Sequence, residues 1–180
     1  MYNNIIQGTV NKELSDYIYN TIVSDNFGWY WNELQINSDK PVDQIGGLTH
    51  GFYKKDGSVN SAFNVVIPYL LDELKNVIDV DHVVRGQANL LCNILVNEEQ
   101  NKNSLHTDSS DETCFSIIYY VVTSDGNTVI YNKDNSITEV KPIKGNYVIF
   151  PSNLLHKATP PTINKKRIVI NSIVQGKLKE

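Results

Sequence analysis

Apolar and polar positions along this chain follow two different periods, and the change falls near residue 83. Before it, Leu14, Ile18 and Ile22 recur at helical spacing behind Asn11 or Ser15, either of which can open a helix by accepting a backbone N–H. Between Asn60 and Val77 the residues Phe63, Val66, Ile67, Leu70, Leu71, Leu74 and Val77 predict a second helix laid over a sheet, its start kinked or delayed by Pro68. Two shorter features separate these helices. Phe27-Gly28-Trp29-Tyr30-Trp31 is the densest aromatic cluster, readable as a strand or bend packed on the body or as one wall of a substrate cleft. Gly46 to Tyr53 predicts a turn and a short strand, with His50 either structural or at the entrance to a site. Asp79-Val80-Asp81-His82 predicts a charged, exposed bend, with His82 outside any site.

From Val83 onward, short apolar and β-branched runs replace the helical period: Ala88 to Val96, Cys114 to Val122, Thr128 to Tyr131, Ile137 to Val140, Tyr147 to Phe150 and Arg167 to Val174. Between them lie turn-rich stretches such as Asn97 to Ser104, Ser124-Asp125-Gly126-Asn127, Lys144-Gly145-Asn146 and Thr159-Pro160-Pro161. Strands at this rhythm without intervening helices predict an antiparallel sandwich or barrel. With no internal repeat or linker, the expectation is one domain over 1–180, a helical and aromatic part at 1–82 and a β core at 83–176.

Composition narrows the class. A chain of 180 residues with 41% hydrophobic and 20% charged residues suits one globular domain rather than a disordered segment. Its net charge of −4 argues against nucleic acid as a partner, because that surface needs a concentrated basic patch. Cys92 and Cys114 do not make a disulfide framework; they read as small apolar fillers in a reduced, cytosolic setting. No apolar run is long enough to span a bilayer, and Met1-Tyr2-Asn3-Asn4 does not begin a signal peptide, so no membrane partner is expected. Richness in Asn, Ile and Lys fits an AT-rich source such as a phage, which places the protein in a bacterial or infected-host cytoplasm. Only two arginines occur, Arg85 and Arg167, and an arginine used so sparingly suits a task lysine does poorly, such as a forked contact to a carboxylate.

The chemistry-bearing stretch is Ser104-Leu105-His106-Thr107-Asp108-Ser109-Ser110-Asp111, a polar loop feeding the apolar run from Cys114. Residues two apart on extended backbone point to one side, so His106 and Asp108 can offer a nitrogen and a carboxylate oxygen to one point. His156, just after the run Tyr147 to Phe150, can complete the set if that strand lies beside the one following His106. Two histidines and a carboxylate on one face of an iron leave coordination positions open for co-substrate and oxygen; the plain alternative is two unrelated loop histidines. Arg167 on the last strand places a guanidinium in an apolar interior, where it needs an anion. That anion is either an internal Asp or Glu or the far carboxylate of a metal-chelating dicarboxylate, with Tyr119 or Tyr120 adding a hydrogen bond.

Taken in order, several pieces resemble the 2-oxoglutarate- and Fe(II)-dependent dioxygenases, particularly the prolyl-4-hydroxylase-like branch and the small members found in tailed phages. They are Arg85-Gly86-Gln87-Ala88-Asn89-Leu90, His106-Thr107-Asp108, Ile118-Tyr119-Tyr120-Val121, Thr123 to Thr128, Phe150 to His156 and Arg167-Ile168-Val169-Ile170-Asn171. The resemblance implies a mainly β fold with flanking helices, the double-stranded β-helix or cupin-like jelly roll. It implies His106, Asp108 and His156 as ligands of Fe(II), Arg167 as the anchor of 2-oxoglutarate, and Tyr120 as the better of the two tyrosines to assist. Asn89 is a further candidate contact to the co-substrate. The implied reaction oxidatively decarboxylates 2-oxoglutarate with O2 and hydroxylates a substrate, either a prolyl or other peptide side chain or a small molecule. Collagen-type members commonly carry lysine where this chain has Arg167, and the strand before the loop has Asn89 and Asn93 where many members use tyrosine. Two other readings compete: a cupin-like ligand-binding module without redox activity, and a metal-dependent cupin enzyme that does not use 2-oxoglutarate.

Overall fold

The computed structural model describes residues 5–32, 47–93 and 105–179; of the expectations above, the strand end at 94–96, the loop 97–104 and Gly46 lie outside them. Strand β1 (Ile6–Thr9) leads into helix α1 (Lys12–Ile22). Asn11 is the N-cap, its side-chain oxygen accepting the Leu14 N–H at 2.8 Å. The Asn11 backbone and side-chain amides also donate to the two oxygens of Glu73 at 2.9 and 2.8 Å. Glu73 ends helix α2 (Val66–Glu73), so this fork ties one helix to the other. Helix α2 is shorter than its pattern predicts. Ser61 caps Phe63 at 3.1 Å and starts a 3-10 turn, Ala62–Val65. Pro68 has no N–H to give the preceding turn, so the regular ladder builds up only after it.

The remaining strands are β2 (Tyr30–Asn32), β3 (Gly47–Tyr53), β4 (Ile78–Cys92), β5 (Cys114–Tyr120), β6 (Thr128–Tyr131), β7 (Ile137–Val140), β8 (Asn146–Pro151), β9 (His156–Ala158) and β10 (Lys166–Leu178). Among the described residues they form a seven-stranded antiparallel sheet, β1-β8-β5-β10-β4-β3-β2, and a three-stranded one, β7-β6-β9. Strands β1 to β3 thus join the sheet built by the later strands. The stretch 79–82 is no bend: β4 already begins at Ile78, because the long β10 continues past it with Leu178 opposite Ile78 and Gln175 opposite His82. Gly176 permits that pairing, since a Cβ there would lie 2.2 Å from the Asp79 carbonyl. His82 stays exposed, as expected.

Two cores follow from the alternation of β5, which is buried along its whole length. Phe115, Ile117 and Tyr119 join α1 and α2 in the core under the helices, together with Ile149, Ile168 and Ile170. Ile118 and Tyr120 face the other way, toward Ile130 and Val140 of the small sheet, with Val148, Phe150 and Val169. The space between the sheets is the lumen in which the site lies. No described helix is long and apolar enough to cross a membrane.

Candidate metal centre

Residues directly opposite in an antiparallel pair share a face. The registers therefore place Arg167, Val169, Asn171 and Ile173 of β10 on the lumen side, beside Leu91, Asn89, Gln87 and Arg85 of β4. Tyr120, Ile118 and Ser116 of β5 line up with Val169, Asn171 and Ile173 on the same face. This alternation is why the last strand, apolar in sequence, delivers two polar side chains inward.

The loop holding His106 is stitched to β9 by two backbone bonds, His106 N–H to His156 O at 3.0 Å and His156 N–H to His106 O at 2.9 Å. The Asp108 N–H donates to Ser152 O at 3.0 Å, which fixes the next turn of the loop. The two imidazoles stand side by side with ring centroids 4.4 Å apart. Asp108 comes between them, with Oδ1 3.8 Å from His106 Nε2 and Oδ2 3.5 Å from His156 Nε2. The three ligand atoms lie within 4.8 Å of one another. His156 Nδ1 sits 3.0 Å from the Leu154 carbonyl, which can only accept, so Nδ1 carries the proton and Nε2 turns its lone pair inward. A lone pair aimed at a carboxylate oxygen is repulsive unless a proton or a metal cation lies between. Two imidazoles and one carboxylate grouped on one side are the donor set of non-haem Fe(II) sites, so the residues present fit iron.

Asp108 has the most enclosed side chain of the three, 1% exposed against 5% for His156 and 25% for His106. Arg85 Nη2 donates to Oδ1 at 2.9 Å, Ser116 Oγ to Oδ2 at 2.7 Å, and Asn171 Nδ2 reaches Oδ2 at 3.2 Å. Since Ser116 gives its proton to the carboxylate, Ser152 Oγ, 2.9 Å away, must donate to Ser116. Burial alone would raise the carboxyl pKa; His156 when its Nε2 also carries a proton, Arg85 and Ser116 outweigh it and hold the group well below the usual carboxylate range.

Deeper in the lumen, Arg167 is fully enclosed. Nε donates to the Gly126 carbonyl and Nη2 to Thr128 Oγ1, both at 2.8 Å. Gly126 has to be glycine, because a Cβ would meet Thr159 O at 2.4 Å and Arg167 Cδ at 3.1 Å. No carboxylate pairs with Arg167 among the described residues, and burial pushes its pKa down to about 10, with Tyr120 opposing that shift. Tyr120 Oη donates to the same Thr128 Oγ1 at 2.9 Å, so Thr128 accepts twice and its own hydroxyl proton is free to be given. Tyr119 points to the helix side of the sheet, and its hydroxyl is buried without a partner. Asn89 shares the lumen face but is already engaged by Gln87 at 2.9 Å.

Three expectations thus meet at one point, Arg167 and Tyr120 lie in the same lumen, and Asn89 lines its wall. His50 stands apart, bonded to Gly28 O at 2.5 Å and Ser61 Oγ at 2.7 Å among Phe27, Phe52 and Phe63. The aromatic cluster divides: Phe27 is buried and Trp29 packs on it, while Tyr30 and Trp31 are 66% and 63% exposed. Arg85, Ser116, Thr128 and Asn171 were not singled out for the site from sequence. For Arg85 a signal was available in the scarcity of arginine, which applied to it as much as to Arg167.

Comparison with known proteins agrees with this geometry. Residues 92–175 match the model of the 2OG-Fe(II) oxygenase superfamily, and no curated protein matches the sequence. A Pseudomonas putida prolyl-4-hydroxylase superposes with a TM-score of 0.59 at 12% identity, over 97% of this chain and 94% of that one. A Trichoplax adhaerens prolyl hydroxylase, in complex with a hypoxia inducible factor oxygen degradation domain peptide fragment, gives 0.65 at 13% identity, over 96% and 84%. The non-heme alpha ketoglutarate dependent epimerase SnoN gives 0.59 at 10% identity, over 96% and 78%. These likenesses establish the double-stranded β-helix, and the epimerase among them shows that the fold alone does not choose the reaction. The strands that wall the lumen fall largely within the matched stretch, so the part of the chain that carries the triad is similar to the 2OG-Fe(II) oxygenase superfamily, whose members use Fe(II), 2-oxoglutarate and O2.

Proposed function

We propose that this chain hydroxylates a prolyl or other peptide side chain, with His106, Asp108 and His156 holding the iron and Arg167 anchoring the distal carboxylate of 2-oxoglutarate. The observation that carries the reading is the state of Arg167. Among the described residues its buried guanidinium meets only neutral acceptors, Gly126 O and Thr128 Oγ1, in the lumen that also holds the triad. A buried cation with no internal anion is costly, and a dicarboxylate reaching the metal supplies the missing charge. When bound, iron supplies the oxidising chemistry: substrate C–H, 2-oxoglutarate and O2 become C–OH, succinate and carbon dioxide. The protein's part is binding and orientation. Thr128, with its proton free, gives the carboxylate a second donor beside the fork of Arg167, and Tyr120 holds Thr128 in that orientation. Phe150 packs edge-on against the His156 ring at 4.8 Å and keeps that side dry. Asn89, with Gln87, offers amide groups on the same wall as Arg167. The peptide substrate is suggested by the two prolyl hydroxylases of like fold. Strands β1 to β3 belong to the sheet that walls the lumen, which supports reading 1–180 as one functional domain.

The test is to add Fe(II) and 2-oxoglutarate without oxygen and record the visible spectrum. A metal-to-ligand charge-transfer band is expected in the wild type and lost in His106→Ala. A wild-type protein without the band overturns the reading. Admitting oxygen in the presence of a peptide library, with mass spectrometry for the gain of one oxygen atom, then identifies the substrate.

A further inference from the structure

We propose that Arg85 binds a carboxylate of the primary substrate, so that this oxygenase takes substrates with a free carboxylate or an acidic side chain near the carbon that is oxidised. The proposal rests on the metal-centre reading above and deepens it.

The first ground is position. Arg167 lies opposite Leu91, and Arg85 lies opposite Ile173, six residues farther along the same pair of strands. At about 3.3 Å per residue the two backbone sites are about 20 Å apart on one face of one sheet. Asn171, which touches Asp108, lies between them. Arg85 therefore stands level with the triad, bonded to Asp108, while Arg167 lies well away from it along the lumen. Arg167 is 3% exposed, whereas the Arg85 side chain is 22% exposed. Arg167 is thus enclosed, and Arg85 is the arginine that a substrate can reach.

The second ground is unmatched charge. Among the described residues, the charged side chains on this face and at the triad are Arg85, Arg167 and Asp108. A divalent cation and a dianionic co-substrate cancel, two guanidinium groups face one carboxylate, and one positive charge remains. Once Asp108 shares its charge with a cation, Arg85 is the group left short of an anion.

The third ground is the hydrogen-bond inventory. Arg85 offers five N–H groups and uses Nη2 on Asp108; Nε is buried without an acceptor. Among the described residues Asn171 Oδ1 is buried without a donor, so a substrate N–H or O–H could meet it while a carboxylate meets Arg85. The same wall continues with Gln87, Asn89 and, across from Asn89, Thr49. A wall of one cation, amides and a hydroxyl suits a polar, anionic substrate better than a bare hydrocarbon ring. The contact to Asp108 holds the guanidinium at the height of the metal, so a carboxylate gripped there places carbons a few bonds away over the reacting position.

The experiment uses the full chain with Mn(II) and saturating 2-oxoglutarate under argon, where binding is read by calorimetry without turnover. Two probe pairs distinguish the two sources of carboxylate. N-acetyl-L-proline against N-acetyl-L-prolinamide tests a free terminal carboxylate. N-acetyl-L-glutamate α-amide against N-acetyl-L-glutamine amide tests an acidic side chain. In at least one pair the acid is expected to bind about tenfold to a hundredfold tighter, the scale of a charge-assisted hydrogen bond. That ratio should fall to near one in Arg85→Gln and be partly kept in Arg85→Lys, which preserves the charge and loses the fork. Equal affinities in both pairs, or an acid preference that survives Arg85→Gln, overturn the proposal. If Arg85 merely holds Asp108, Arg85→Gln weakens Mn(II) binding and leaves the ratio unchanged, which overturns it as well. Failure of the wild type to take up Mn(II) and 2-oxoglutarate is read separately and strikes the metal-centre reading itself.

Discussion

Replacing Arg167 with methionine separates two roles that a buried arginine can have. If the guanidinium is a structural partner, its removal unfolds the lumen; if it waits for a ligand anion, its removal relieves the empty protein and cripples the loaded one. The magnitudes follow from its surroundings. Burial brings its pKa from the ordinary arginine value down to about 10, a gap equivalent to about 3 kcal/mol at ~1.4 kcal/mol per tenfold. The sign matters for the assay. A base with a depressed folded pKa costs stability at every pH below that value, and the cost eases only as pH rises above about 10 toward the ordinary arginine value. At neutral pH the whole cost is present. Methionine removes it but leaves the Gly126 carbonyl without its donor, whereas Thr128 keeps the bond from Tyr120. One orphaned buried acceptor costs about 1–3 kcal/mol, so the two changes nearly cancel and the ligand-free melting temperature should stay within a few degrees.

The loaded protein should behave differently. At a hundredfold excess of 2-oxoglutarate over its Kd, linkage adds about 2.7 kcal/mol, or about 5–10 °C for a chain of this length. Two charge-assisted hydrogen bonds lost with the guanidinium weaken binding by at least about a hundredfold. The same ligand concentration then sits near Kd and raises the melting temperature by only about 1 °C. Differential scanning fluorimetry with Mn(II), with and without 2-oxoglutarate, reads both quantities. A ligand-free variant destabilised by about 3–5 kcal/mol would be the mark of a broken internal ion pair. That result, or a thermal shift that survives the substitution, would refute the reasoning.

Three further outcomes can be checked. Tyr120→Phe removes the hydroxyl that orients Thr128 and should weaken 2-oxoglutarate binding about threefold to tenfold in the same assay, whereas Tyr119→Phe, on the helix side, should leave it unchanged. Asp16 is held down to about 2 by its hydrogen bonds to Lys12 and Lys144, so its stabilising effect is present above its ordinary 3.8 and lost as pH falls toward 2. In Lys144→Ala its carboxyl resonance should titrate closer to 3.8, and an unchanged midpoint by NMR would show that Lys144 is not the cause. Asp125 accepts from Thr162 N, Thr162 Oγ1, Ile163 N and Asn164 N; Asp125→Ala should accelerate amide hydrogen exchange at 162–164 while sparing the β5 amides.

Which features were legible in the sequence depended on whether the cause was local. Helix α1 was readable because its N-cap and its apolar stripe lie within twelve residues, Asn11 to Ile22. Strand β5 was readable because a residue buried on either face must be apolar or satisfied, and Cys114 to Tyr120 meets that rule with Ser116 as the one polar break. That break was itself a signal of the site, since Ser116 is where the strand touches Asp108. The extent of β4 was not readable, because nothing in Asp79-Val80-Asp81-His82 favours a strand until Gly176 lets β10 lie close against it. Likewise β9 is three residues long and owes its existence to the bonds His156 makes with His106 and to its pairing with β6.

The site divides along the same line. His106 and Asp108 were visible together because a spacing of two on extended backbone fixes their common direction. Arg167 was visible because a lone guanidinium in an apolar run demands an anion. Arg85 sits in a run no less informative, Val83-Val84-Arg85-Gly86-Gln87, yet its destination depends on the register of β4 against β10 over the whole length of both strands. A slip of one residue would turn Arg85 away from Asp108 and put Val84 or Gly86 in its place. The sequence could therefore name the residue types the chemistry needs, but which of the two arginines meets Asp108 and which one is enclosed beside Gly126 and Thr128 is decided by register, a property of pairs of strands rather than of either strand alone.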